Sequence, residues 1–348
     1  MGNYHNTFNR FVDLVKVRKK DTTMMAIIID SPWMPGYLGI NTLDFYFDPR
    51  TWFHSYLQAI KDLPDVAFIP GSWIEFGMAA EPSGWGIPIE WSTSSPPSLH
   101  HFPGSFDALF EIRPDPEKDG LMPIILRQYE RMRCDLNLHG IPAKIAAARG
   151  PLTVASYLIG VSDLLLMMKL DPDKCLTLVE QTTVLCIRWL QSQLQRMDDP
   201  VGILVLDDMV GMMSPADAEK FAFPFMIKIF DTFSDLIHIF HNDTPNEKVF
   251  PGLSKVGIDV FNFSHETDLK SARKLLGDEI VILGNIPPLE VLVNGSAEDV
   301  TKATGEMLEQ AERYGPMIIS AGGGVSPGTP IKNLQRMAEI VNTNQPKM

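Results

Sequence analysis

The segment Ile237-His238-Ile239-Phe240-His241-Asn242-Asp243 sets an imidazole and a carboxylate two residues apart. Alternate residues of an extended chain share a face, so His241 and Asp243 aim at one centre. A neutral imidazole beside a carboxylate suits a divalent ion of the zinc type. The pair has two plainer uses: His241 can bond a backbone carbonyl, and Asp243 can cap a helix after Pro245. His238 reads as a core histidine.

Other polar residues follow apolar runs in the same way. Asp207 and Asp208 form a paired carboxylate after 202–206. Such a pair can raise one member's pKa into general-acid range, bind a cation, or leave one member as a helix cap. His265 follows 259–263 and could reach His241, or serve as a loop histidine beside a helix start. Glu81 sits in an apolar, aromatic stretch and needs a partner: a metal, an arginine or a substrate proton. Glu75 reads as a plain loop charge. With Asp207, Asp208 and His241, Glu81 completes the candidate catalytic set. The candidate metal ligands are His241, Asp243, Glu81 and His265.

Trp33, Met34, Trp73 and Trp85 crowd the loops after the first two runs, as an apolar lid for a flat ligand would. They pack equally well as a satellite core. Arg149 and Asn285, at the ends of later runs, join them as candidate substrate contacts. The stretch Ala321-Gly322-Gly323-Gly324 admits either a phosphate or the close approach of a bulky ligand or protein.

These residues converge only if a regular scaffold presents them. Apolar runs at 25–30, 66–70, 143–148, 202–206, 236–240, 259–263, 280–283 and 317–320 read as strands. Stretches of helical period fall at 49–62, 122–139, 172–197, 215–233, 269–276, 297–314 and 331–342. Strands apolar throughout are buried on both faces, as in a parallel sheet under helices. Eight of them predict one (β/α)8 TIM barrel over 1–348, with an N-terminal helical extension and a long loop insertion at about 70–105. The runner-up, an open doubly wound sheet, lacks any GxGxxG or GxxxxGK[ST] loop. In the barrel, chemistry gathers where strands end, which is where the polar residues stand.

Composition narrows the partners. A chain of 348 residues with 45% hydrophobic side chains has the apolar content for a large core. Its net charge of −13 disfavours nucleic acid and anionic membrane. No apolar run approaches the roughly 18 residues of a membrane span. The N-terminal segment shows no signal-peptide core, and Cys134, Cys175 and Cys186 form neither a chelating nor a disulfide pattern. The expected compartment is the cytoplasm.

Five short segments in order resemble the uroporphyrinogen decarboxylase superfamily. They are Arg149-Gly150-Pro151-Leu152-Thr153-Val154-Ala155-Ser156-Tyr157-Leu158, His241-Asn242-Asp243, Gly257-Ile258-Asp259-Val260-Phe261-Asn262, Gly284-Asn285-Ile286-Pro287-Pro288, and the stretch from Pro330 to Met337. The resemblance implies a cytoplasmic (β/α)8 barrel with one of two activities: porphyrinogen decarboxylation, or methyl transfer to or from a corrinoid protein. The decarboxylase binds a polycarboxylate through an Arg-rich segment after the first strand. Here that place reads Asp30-Ser31-Pro32-Trp33-Met34-Pro35-Gly36 and holds no arginine.

The methyltransferase branch is similar at Glu81 and at His241. It holds zinc with a His-x-Cys pair and a later Cys; here Asp243 replaces the first thiolate and glycine the second. A harder site of nitrogen and oxygen donors suits activation of an ether oxygen better than of a thiol. The resemblance therefore implies a corrinoid-dependent methyltransferase acting on a small methylated substrate, with an aromatic methyl ether (O-demethylation) expected. Zinc is the expected metal, a corrinoid protein and the methyl donor are the partners, and a homodimer is compatible. The glycine-rich eighth-strand loop is the expected docking surface for the corrinoid domain. The alternatives are a decarboxylase of a smaller acid anchored by Arg149, and a non-catalytic barrel that has lost its metal.

Overall fold

Each of the eight apolar runs forms a strand. The computed structural model describes residues 2–18 and 23–344. In chain order the strands are β1 (Ala26–Ile28), β2 (Ala67–Ile69), β3 (Ile145–Arg149), β4 (Gly202–Leu206), β5 (Ile237–Asn242), β6 (Val260–Phe263), β7 (Val281–Ile286) and β8 (Met317–Ala321). Every residue in them is buried, because the barrel interior lies on one face and helices on the other.

All neighbouring strands run parallel. β3 to β8 pair in sequence order as one six-stranded sheet, and β1 pairs with β2. A bridge between Met25 and Ile319 joins β1 to β8, and the Ile319 N–H donates to the Met24 carbonyl. The result is the expected (β/α)8 barrel. Among the described residues no backbone ladder joins β2 to β3. That seam is spanned by the Ser72 hydroxyl on the Ile141 carbonyl at 2.8 Å and the Arg149 N–H on Glu81 Oε1 at 2.7 Å.

Helices form the outer layer, and capping fixes where several begin. Asp171 accepts from the Lys174 N–H and Ser214 from the Asp217 N–H, each followed by proline at the first helical position. The stretch expected as one helix over 215–233 is two, Pro215–Phe221 and Phe223–Thr232. Pro224 has no N–H and disfavours helical geometry at the residue before it. Two of the longer helices lie outside the expected stretches, Pro151–Ile159 and Val161–Leu170. All but one residue of the first is buried, so it shows no polar stripe.

An N-terminal helix, Gly2–Val17, precedes the barrel and contacts β2. The insertion after β2 carries a 3₁₀ turn, Pro82–Trp85, and a two-stranded ribbon of Ile89–Glu90 with Ser98–Leu99. No single helix among the described residues is long and apolar enough to cross a membrane.

Candidate metal centre

Strand register decides which polar side chains meet. His241 on β5 pairs with Leu206 on one side and with Asn262 of β6 on the other. Neighbours in register on parallel strands point to the same face, so the imidazole and the amide lie side by side. His241 Nδ1 is 2.7 Å from Asn262 Oδ1, and both residues are buried.

Beyond β4 the chain turns into a short 3₁₀ segment, Asp208–Met212, which carries the Asp208 carboxylate toward β5. Asp208 Oδ1 accepts the Asp243 N–H at 3.1 Å and stands 3.6 Å from His241 Nε2. One donor atom each from Asp208, His241 and Asp243 lies within 4.8 Å of the others. Asp243 is exposed at the rim, yet the crowding of protein around its carboxyl raises its pKa. His241 opposes that rise and Asp208 adds to it.

The plainer readings of the His241–Asp243 pair fail. His241 bonds an amide rather than a carbonyl, and Asn246 caps the turn after Pro245 through the Lys248 N–H. His238 is the core histidine, held between the carbonyls of Gly257 and Phe233.

Two expected metal ligands stand outside the triad. Glu81 is buried against β3, its Oε1 engaged by the Arg149 N–H; burial raises its pKa and Arg149 lowers it. His265 reaches Glu290 at 3.7 Å, although its charge is felt at Asp243. The two adjacent aspartates also divide their work. Asp207 accepts the N–H groups of Leu152 and Thr153 and the Thr153 hydroxyl, so it caps helix Pro151–Ile159 from the neighbouring strand. Burial pushes its pKa up to about 7, against the pull of those bonds.

The candidate substrate contacts are mostly closed in. Trp33 and Met34 are fully buried and present no surface to a ligand; Trp33 Nε1 donates to the Thr329 carbonyl at 2.9 Å. Trp85 is likewise buried in the core. Trp73 lies under Arg149, whose guanidinium is 5.2 Å from its ring centroid and also donates to the Gly77 carbonyl. Asn285 spends its amide N–H groups on the carbonyls of Ser264 and Thr267. Glu75 is no plain loop charge: it is buried and accepts the N–H groups of Ser31 and Gly77.

Three further residues belong to the site. Asn262 is one; it ends a segment of the family resemblance and stands as an amide inside the apolar run Val260–Phe263, but neither signal assigned it to the site. Tyr157 is the one half-exposed residue of its helix and feels Arg149, Asp208 and Glu81 together. Gly322 is the third. A Cβ there would come within 2.5 Å of the His265 backbone nitrogen, so only glycine lets the eighth-strand loop pack this closely against that residue.

A nitrogen and two carboxylate oxygens, open on the rim side, fit a zinc-type ion with a free coordination position. The family model for uroporphyrinogen decarboxylase (URO-D) matches residues 37–344. The chain belongs to the uroporphyrinogen decarboxylase family. Relatives in this family include a uroporphyrinogen decarboxylase of Trichlorobacter lovleyi, 28% identical over 66% of this chain and 67% of its own length. A methylated-thiol–coenzyme M methyltransferase of Methanosarcina mazei is 26% identical over 82% of this chain and 77% of its own. A solved methyltransferase from Methanosarcina mazei superposes with a TM-score of 0.82 at 16% identity, covering 97% of this chain and 98% of that one. Both kinds of relative in the URO-D family are enzymes, and the shared fold is the barrel described above.

Proposed function

We propose that this family member is a corrinoid-dependent methyltransferase that demethylates a small methylated substrate, most suitably an aromatic methyl ether. The observation that carries the reading is the Asp208–His241–Asp243 triad at the strand ends. Nitrogen and carboxylate donors make a hard site, matched to oxygen rather than sulfur. A zinc ion there would supply Lewis acidity to the ether oxygen, and the corrinoid of a partner protein would supply the methyl acceptor. The methyl–oxygen bond breaks with both electrons left on oxygen, so stabilising the departing phenolate lowers the barrier.

The chain's own residues have separate tasks in this scheme. His241 and the two carboxylates hold the ion. Asp207 fixes the loop from which Asp208 projects, and Glu81 braces Arg149. Tyr157, half exposed and within the electrostatic reach of Arg149 and Asp208, offers a ring against which a flat donor can lie. The protein works in the cytoplasm as one barrel unit. Arg149 lies over the Trp73 ring and gives one N–H to the Gly77 carbonyl, and the segment after β1 holds no arginine to join it in binding a polycarboxylate; this disfavours porphyrinogen decarboxylation.

The test mixes the purified chain with a reduced corrinoid protein and a panel of methoxylated aromatics. The expected result is the absorbance change of corrinoid methylation with release of the phenol, lost in His241→Ala. Absence of methyl transfer from every methoxylated donor would overturn the reading.

A further inference from the structure

Asn262 is fully buried, and its amide has no freedom to turn. Its Nδ2 donates to the Leu283 carbonyl on β7 at 2.7 Å and to the Ala321 carbonyl on β8 at 3.1 Å. Carbonyl oxygens only accept, so the nitrogen must face them and Oδ1 must face His241. An amide oxygen also only accepts. The hydrogen in the 2.7 Å contact therefore sits on His241 Nδ1, so in the neutral ring Nε2 carries the lone pair.

That lone pair faces Asp208 Oδ1 at 3.6 Å, beyond hydrogen-bond distance. In the neutral ring these are two acceptors facing each other, an arrangement that a cation between them, a proton or a metal ion, relieves. We propose that Asn262 is a positioning residue that locks the His241 tautomer, holding Nε2 ready for a divalent metal. This rests on the metal-dependent reading above. One side chain thereby ties three strands of the barrel wall to the orientation of one ligand atom. Partners of this kind set ring orientation and ligand basicity, and their loss costs about 10- to 100-fold in metal affinity.

Two measurements on the full chain test it. Nitrogen-15 spectra of the histidines, recorded without metal, report which ring nitrogen of His241 carries hydrogen. Competition with a chromophoric chelator reports zinc affinity. The expected results are hydrogen on Nδ1, and zinc binding weakened about 10- to 100-fold in Asn262→Ala. Asn262→Asp keeps an acceptor for Nδ1 while losing both donors to Leu283 and Ala321. It should recover most of the zinc affinity despite a lower melting temperature, which a merely structural role would not allow. Hydrogen on Nε2 in the unsubstituted chain overturns the proposal even if neither variant folds. So does a folded Asn262→Ala that binds zinc as tightly as the parent. A chain with hydrogen on Nδ1 that takes no zinc instead sinks the metal-dependent reading and leaves the tautomer assignment standing.

Discussion

Asp207 and Thr153, 54 residues apart, are joined twice: the Thr153 N–H and hydroxyl both donate to Asp207 Oδ1, at 3.0 and 2.8 Å. The neighbouring Asp208 turns the other way, toward His241. Adjacent aspartates thus serve different ends, one holding a helix and the other facing the centre. Asp207→Ala strands buried N–H donors and should cost about 1–3 kcal/mol in urea unfolding. Asp208→Ala should cost under about 1 kcal/mol, as an exchange of a partly exposed side chain does. Equal losses for the two would contradict this division.

The composition of the centre has its own prediction. Zinc bound per chain, measured after dialysis, should fall to background in Asp208→Ala, His241→Ala and Asp243→Ala. Glu81→Gln and His265→Ala should retain the metal, because neither side chain stands in the triad. Loss of zinc in Glu81→Gln would restore Glu81 to the ligand set.

Asp30, just past β1, gives a pH dependence with a definite sign. Burial lifts its pKa to about 7, Glu75 adds to the rise, and Arg149 opposes it. Between the ordinary carboxyl value of 3.8 and about 7, the folded chain holds a proton that the unfolded chain has released. Stability from this group therefore declines as pH rises through that window. Asp30→Asn should be little changed relative to the parent near pH 4 and more stable than it near pH 8. Urea titrations at stepped pH check this, and parallel curves for the two proteins would refute it.

Gly322 tests the packing of the eighth-strand loop. In Gly322→Ala the new methyl meets the backbone and Cβ of His265 at 2.5–2.8 Å. Overpacking of this kind costs about 1–3 kcal/mol. Thermal melts should show the loss, together with a shifted His265 resonance. An unchanged melt would mean that the loop yields freely.

The strands were legible because burial on both faces writes itself as unbroken apolar runs; all eight fall where the runs lie. Helices that keep a wet face were equally plain, such as Pro49–Asp62 and Leu269–Leu276, which match their expected bounds. Helix Pro151–Ile159 was not, since burial on nearly all sides erases the period on which recognition depends. At the site, His241 and Asp243 stood out by spacing alone. Which of Asp207 and Asp208 faces the centre was hidden, because the answer depends on a helix beginning more than 50 residues earlier. Glu81 was legible as a carboxylate in need of a partner, and of the three partners expected, a metal, an arginine or a substrate proton, it meets the arginine, through its backbone N–H. Glu75 was misjudged because a turn of N–H groups that wraps a carboxylate leaves no mark in composition.

The join between β2 and β3 ties architecture to electrostatics. Elsewhere the staves are laced by peptide groups, which any sequence can supply. Here, among the described residues, the lacing gives way to two side chains, Ser72 on the Ile141 carbonyl and Glu81 reaching across to the Arg149 N–H. Residue 81 is therefore a rivet as well as a charge, and refitting it for new chemistry would loosen the cask.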